Sequence, residues 1–431
     1  MRKLVSLLLA TLLCVSLLTG CANNVDSTQP TNSVHDGTGT STETREKVVL
    51  WMSGDDARYL VESGLVEKFN EKNEKYYVEL VEMTFDTLHD KLLAGAASGE
   101  VPAVSQGADQ WVGEFAYLDA LMPLDDLISE YGFKEEDFAD NAWEHFRYLD
   151  GHIYAAPFYL ENRVLYYRTD ILEEAGFDGP PETWDEVFEY AKVLSNGEDK
   201  FTMGHQDGWL DFHFFSCLLY SYGGDFYNKE RTECILNNEQ GLKALKYYEA
   251  LYDQNVIPKD ADKRVEAFKG FKEGYYAMVE SGNWWIGLIE NQAPELEGKW
   301  AMAYLPTGDT TTVYGHPNGW IIPKNSPNPE GAMAWIDFVL QTDTEILMSN
   351  AYGLSPISLE AYDDPSLKNA DLHKMMRDVS KRGTDSIHNI PNAEAISELV
   401  WNMLADVRDD VKTPEDALND VVKQINPLLT P

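Results

Sequence analysis

Three short runs set the fold. "KVVLWM" (47–52) is a continuous apolar strand, "YYVELVEM" (76–83) is an alternating strand, and "VPAVSQGAD" (101–109) is a third. Between the first two lies a segment with Leu60, Leu65, Val66 and Phe69 at helical spacing. Between the second and third lies "FDTLHDKLLAGAASG" (85–99), a further helix. This order predicts an α/β layer with mainly parallel strands. Such sheets bind ligands at loops beyond the carboxyl ends of their strands. The loops expected there are 53–56 and 108–111. A chain of 431 residues exceeds one core, so two domains are expected.

Later elements announce themselves by their caps. Thr183 with Glu186 forms a capping box, and Asn328-Pro329 and Thr413-Pro414 place proline at a first helical position. Residues 150–172 read as a hairpin-like entry, a crossing segment and a strand. From about 343 onward the chain reads as mostly helical.

The N-terminus points outside the cytoplasm. Arg2 and Lys3 precede an apolar run over 4–18. That run is too short to span a membrane and suits a signal peptide. It ends in Leu18-Thr19-Gly20-Cys21, which resembles a bacterial lipobox, so residues 1–20 are expected to be removed and Cys21 to carry lipid. Residues 21–46 then form a lipidated cysteine and a polar, disordered tether. The body is expected at the cell membrane, on its extracytoplasmic face. A formal charge of −39 excludes nucleic-acid binding and leaves the lipid as the sole membrane contact. Cys217 and Cys234 remain in the body. Two buried thiols are expected, with a disulfide as the alternative.

No phosphate-binding loop, zinc helix, nucleophile elbow or dinucleotide fingerprint occurs. His152, and His205 with Asp207, lack clustered partners, so neither metal nor cofactor is expected. With 73 acidic residues, no carboxylate pair can be singled out for glycoside hydrolysis, and no catalytic residue is assigned. Eleven tryptophans and 23 tyrosines stand out instead. An aromatic ring stacks on the apolar face of a sugar while polar side chains take its hydroxyls. Trp335 and Trp401 lie in amphipathic helical patterns and read as core.

The segments "DGHIYAAPFYLENRVLYYRTDILEEAGFDGPPETWDEV" (150–187), "FKEGYYAMVESGNWW" (271–285), "KWAMAYLPTG" (299–308), "GHPNGWIIPKNSPNPEGAMAWIDFVL" (315–340) and "YGLSPIS" (352–358) occur in this order. Together they resemble the extracellular solute-binding lipoproteins of ABC importers, the family that includes maltose-binding proteins. The resemblance implies a two-lobed periplasmic-binding-protein fold, α/β in class, with discontinuous lobes joined by a hinge. Lobe one would be 47–148 plus 303–342, and lobe two 149–302 plus 343–431, with crossings near 147–151, 299–303 and 340–345. It further implies a monomer that traps a carbohydrate, an oligosaccharide in the leading reading, and delivers it to permease subunits served by a separate ATPase.

The same resemblance marks site residues. Glu161 matches a position that bonds sugar hydroxyls. Arg163 stands where maltose-binding proteins have an aromatic. Asp109 matches a sugar-binding aspartate, and Asp55 falls in a ligand-contacting loop. Trp284 matches a stacking ring, and Trp111, His205, Trp209, Asn318, Trp320 and Tyr352 are further positions. Adjacent helical residues point about 100° apart, so Trp285 is expected to face the lobe interior beside Ile286 and Ile289. Arg163 keeps open an anionic solute such as a glycerol phosphate or uronate. A secreted glycoside hydrolase lipoprotein is the alternative from another class.

Overall fold

A computed structural model describes residues 45–159, 161–204, 208–315, 317–383 and 387–429, with Asp55 and Trp209 described by backbone alone. The expected signal peptide, Cys21 and all but the last two residues of the expected tether lie outside the described residues.

Among the described residues, nine strands form two sheets: β1 (Glu46–Ser53), β2 (Tyr76–Met83), β3 (Val104–Ala108), β4 (Ala155–Tyr159), β5 (Val164–Arg168), β6 (Phe201–Met203), β7 (Tyr276–Ser281), β8 (Trp300–Ala303) and β9 (Asn318–Ile321). The first sheet runs β2-β1-β3-β9-β4 and the second β6-β7-β5-β8. β1 pairs parallel with β2 along its whole length, from Glu46 opposite Tyr76 to Ser53 opposite Met83, and also parallel with β3. β9 is antiparallel to β3 and β4, and β5 is antiparallel to β7 and β8. Each sheet is thus mainly parallel, as expected, with one reversed strand: β9 in the first and β5 in the second. A parallel neighbour needs a crossover helix. β5 and β9 instead begin where the chain arrives from the other sheet, so no crossover fixes their direction.

Each sheet has its own core. Val48, Leu50 and Met52 of β1 pack with Trp111, Trp320 and Trp335 in the first, and Val164, Tyr166, Trp184, Met278 and Trp285 pack in the second. The division along the chain differs from the one the resemblance implied. β4 bonds into the first sheet, Leu305 to Tyr314 pack in the second core, and Met348 to Ile357 pack in the first. The crossings thus lie at 159–164, at 314–318 and beyond 357. At the first two, Asn162 and Gly315 form an isolated antiparallel bridge. A Cβ on Gly315 would lie 2.4 Å from Asn162 Oδ1, so a side chain there would push the Asn162 amide aside.

The expected loops at 53–56 and 108–111 are helix starts. Ser53 caps the helix Gly54–Glu62 by accepting from the Asp56 amide at 3.5 Å, and the helix Asp109–Tyr117 follows β3 directly. Thr183 and Glu186 make the expected capping box. Asn328 caps the helix Pro329–Val339 by accepting from the Gly331 amide, and Pro414 opens the helix Pro414–Leu429. Trp335 is fully buried, whereas Trp401 is half-buried on the helix Ala393–Arg408. Cys217 and Cys234 are both buried and free. Among the described residues, no helix is long and apolar enough to cross a membrane.

A candidate solute site where the lobes meet

Glu161, Asn162 and Arg163 form the first crossing, between β4 and β5, and all three are buried. Asn162 donates to the Met376 carbonyl at 2.9 Å, tying the crossing to the helix Ala370–Ser380. Arg163 is 1% exposed. A buried guanidinium is costly unless it is surrounded by acceptors and opposite charge. Here Nη2 lies 3.7 Å from Glu161 Oε1, and Nε lies 3.5 Å from Glu280 Oε1. Nη2 also bonds His213 Nδ1. An arginine nitrogen only donates, so that imidazole nitrogen accepts. The guanidinium carbon stands 4.9 Å over the Trp284 ring centroid, within cation–π range.

The second lobe supplies most of these partners. Glu280 comes from β7, His213 from the helix Trp209–Ser221, and Trp284 begins the helix Trp284–Gln292. The first lobe contributes Asn318 at the start of β9, which donates to the Tyr159 hydroxyl at 2.7 Å and to Glu161 Oε2 at 3.4 Å. Burial, aided by the nearby Asp56 and Glu161 carboxylates, holds the Tyr159 phenol well above its ordinary pKa, so it stays protonated.

Asp109 opens the helix Asp109–Tyr117, where the positive end of the helix dipole favours a carboxylate. Its Oδ2 lies 3.0 Å from Nδ1 of His388, a second-lobe residue, and both groups are buried. Gly113 permits this approach, because a Cβ there would sit 2.2 Å from the His388 carbonyl oxygen. His388 Nε2 lies 3.4 Å from Ser397 Oγ. This contact therefore links a helix of the first lobe to a segment of the second.

Trp284 is set by Gly282, where a Cβ would fall 1.7 Å from the indole carbon Cζ3. The half-buried ring packs against both cores. It borders a groove of about 450 Å³, lined also by Tyr59 and Glu62 of the first lobe and by Tyr352. Tyr352 donates to Glu62, and its ring centroid is 4.8 Å from that of Tyr59.

A family model described as bacterial extracellular solute-binding protein matches residues 64–374. The chain belongs to that family. A maltooligosaccharide ABC transporter solute-binding lipoprotein of Streptococcus pneumoniae is 25% identical over 346 residues, covering 78% of each chain. Two solved structures share the fold. The sugar-binding protein MalE from the phytopathogen Xanthomonas citri has a TM-score of 0.79 at 24% identity, covering 89% of this chain and 97% of its own. An ABC transporter solute-binding protein from Thermotoga lettingae, bound with alpha-D-tagatose, also has a TM-score of 0.79 at 24% identity, covering 89% and 100%. The two-lobed, hinged α/β fold expected from the sequence is the fold found.

Within this solute-binding protein the sequence-derived positions separate. Glu161, Arg163, Trp284 and Asn318 meet in one cluster, Asp109 joins the lobes through His388, and Tyr352 lines the groove beside Trp284. Trp111 and Trp320 go elsewhere. Trp111 packs on Phe85 at 4.2 Å and His89 at 5.3 Å, and Trp320 packs on Phe158 at 4.4 Å and Trp335 at 5.9 Å. Both rings pack in the first core, Trp320 from within β9 and Trp111 from the helix that follows β3. Asp55 lies in the first turn of Gly54–Glu62 with its side chain outside the described residues, as is that of Trp209. His205 is itself outside them. Glu280, His213 and His388 were missed. Glu280 alone gave a signal, as an acid inside the apolar strand "YAMVES".

Proposed function

We propose that this solute-binding protein captures a neutral carbohydrate between its lobes and delivers it to the permease subunits of an ABC importer. In this reading it is a monomer, anchored by lipid on Cys21 through the tether of residues 21–46. One observation carries the preference for a neutral ligand. Arg163, the one residue that had left an anionic solute open, is already engaged by Glu161 and Glu280 and lies against Trp284. An arginine so compensated has little charge left to attract a phosphate or carboxylate. A sugar needs no net charge. It needs ring faces and hydrogen-bonding edges, and the cluster supplies both in Trp284, Glu161 and Asn318. The groove lined by Tyr59 and Tyr352 gives further sugar units a ring-flanked path away from Trp284, which supports an oligosaccharide.

The same pairing supports binding without chemistry. A glycosidase holds one carboxyl protonated for the leaving group and another poised at the anomeric carbon. Here Glu161 and Glu280 flank a guanidinium, and Asp109 faces an imidazole. Calorimetric titration with a panel of neutral and anionic saccharides, with product analysis on the same samples, tests the proposal. Saturable binding of a neutral sugar that is recovered intact is expected. Release of hydrolysis products would overturn it.

A further inference from the structure

We infer that Glu280 sets the charge selectivity of the site, rejecting anionic solutes by over-neutralising Arg163. Glu280 is 1% exposed and lies in β7, a strand whose residues are all buried. A carboxylate at such a position costs stability unless a cation holds it. The cation is Arg163, and Arg163 also faces Glu161. His213 presents its accepting nitrogen to the same guanidinium, so it adds no positive charge at that contact. One cation thus stands between two carboxylates, and the trio carries net negative charge beside the Trp284 ring. Glu161 alone would neutralise Arg163. Glu280 makes the difference between a neutral trio and a negative one.

A ligand carboxylate or phosphate arriving at Trp284 meets that surplus charge where little water screens it. A neutral sugar does not. Selectivity of this kind comes from what the wrong ligand suffers rather than from extra contacts to the right one. Glu280 also faces the guanidinium at Nε while Glu161 faces it at Nη2. It acts through Arg163 and is a positioning residue rather than a ligand contact. This inference rests on the proposed carbohydrate reading and deepens it.

The test compares wild type, Glu280→Gln and Glu280→Asp by calorimetry. The probes are D-glucose, maltose and maltotriose as neutral sugars, and D-glucuronate, D-galacturonate and glycerol 3-phosphate as anions. Wild type is expected to bind a neutral probe at least tenfold more tightly than any anion. Glu280→Gln keeps the shape, removes the surplus charge and should gain at least tenfold in affinity for an anion, with neutral affinity changed less. Glu280→Asp keeps the charge and should still reject anions. An unchanged anion affinity in Glu280→Gln, alongside neutral binding by wild type, overturns the inference and leaves the carbohydrate reading standing. Failure of wild type to bind any neutral probe overturns the reading beneath it. The wild-type comparison requires no variant to fold: equal affinity for glucose and glucuronate sinks the inference by itself.

Discussion

Trp284 and Trp285 are neighbours in sequence and occupy different environments. The Trp284 ring lies under the Arg163 guanidinium and packs against both lobes, while Trp285 is 4% exposed, with Tyr166, Phe271 and Phe268 at 5.3, 5.4 and 5.6 Å. The two rings should therefore fail differently. Trp284→Ala is expected to weaken binding of a neutral sugar about tenfold, ~1.4 kcal/mol, with little change in stability. Trp285→Ala should cost about 3–5 kcal/mol of stability through the cavity it leaves. Urea denaturation and calorimetry on both variants check this, and the opposite pattern would reverse the assignment.

The Asp109–His388 contact spans the lobes. Asp109→Asn keeps the size of the side chain and removes its charge, so an arrangement in which the lobes lie together should be less favoured. The expected result is a larger radius of gyration by X-ray scattering for the ligand-free variant than for wild type, and at least tenfold weaker sugar binding. Unchanged scattering and affinity would show that the contact does not bias closure.

Two buried groups give stability a defined pH dependence. Burial pushes the Glu345 carboxyl up to about 8, against the Ser358 amide that donates to it at 3.0 Å, and lowers His373 to about 4. His373 is held between the Ser349 and Ser355 hydroxyls at 3.1 and 3.0 Å. The folded chain keeps the Glu345 proton that the unfolded chain loses above about 4.5, so stability falls as pH rises from there toward 8. The folded chain refuses the His373 proton that the unfolded chain takes below about 6.5, so stability also falls as pH drops from there toward 4. Stability should be greatest between those limits. Glu345→Gln should flatten the alkaline side, gaining on the order of 4 kcal/mol relative to wild type at pH 8. Chemical denaturation across pH would show a monotonic curve if these assignments fail.

Burial raises both thiols above their ordinary range, Cys234 to about 11. Since the thiolate is the reactive form, native protein at pH 8 should react slowly with a thiol reagent, and both cysteines should react promptly in denaturant. Loss of both thiols under non-reducing denaturation would indicate a disulfide instead.

Local signals carried much of this structure and long-range ones little. β1, β2, the Thr183 capping box and the split between Trp284 and Trp285 follow from patterns within one or two turns of chain. The helix starting after Ser53 was also within reach, since a serine three residues before Asp56 is a capping signal. The place of β4 in the first sheet was not, because it depends on pairing with β9, which is distant in sequence. The site divided the same way. Glu161, Asp109 and Trp284 were marked by the family resemblance. His213 and His388 reach Arg163 and Asp109 only through tertiary folding, His213 from an apolar helical run and His388 from the stretch read as mostly helical.

In the proposed function a neutral carbohydrate binds between the lobes and leaves unchanged. Calorimetric titration of the wild-type protein with neutral oligosaccharides tests it most directly. Saturable one-to-one binding of at least one of them is expected, with the sugar recovered intact. Heat from anionic solutes alone, or no binding of any saccharide, would contradict it.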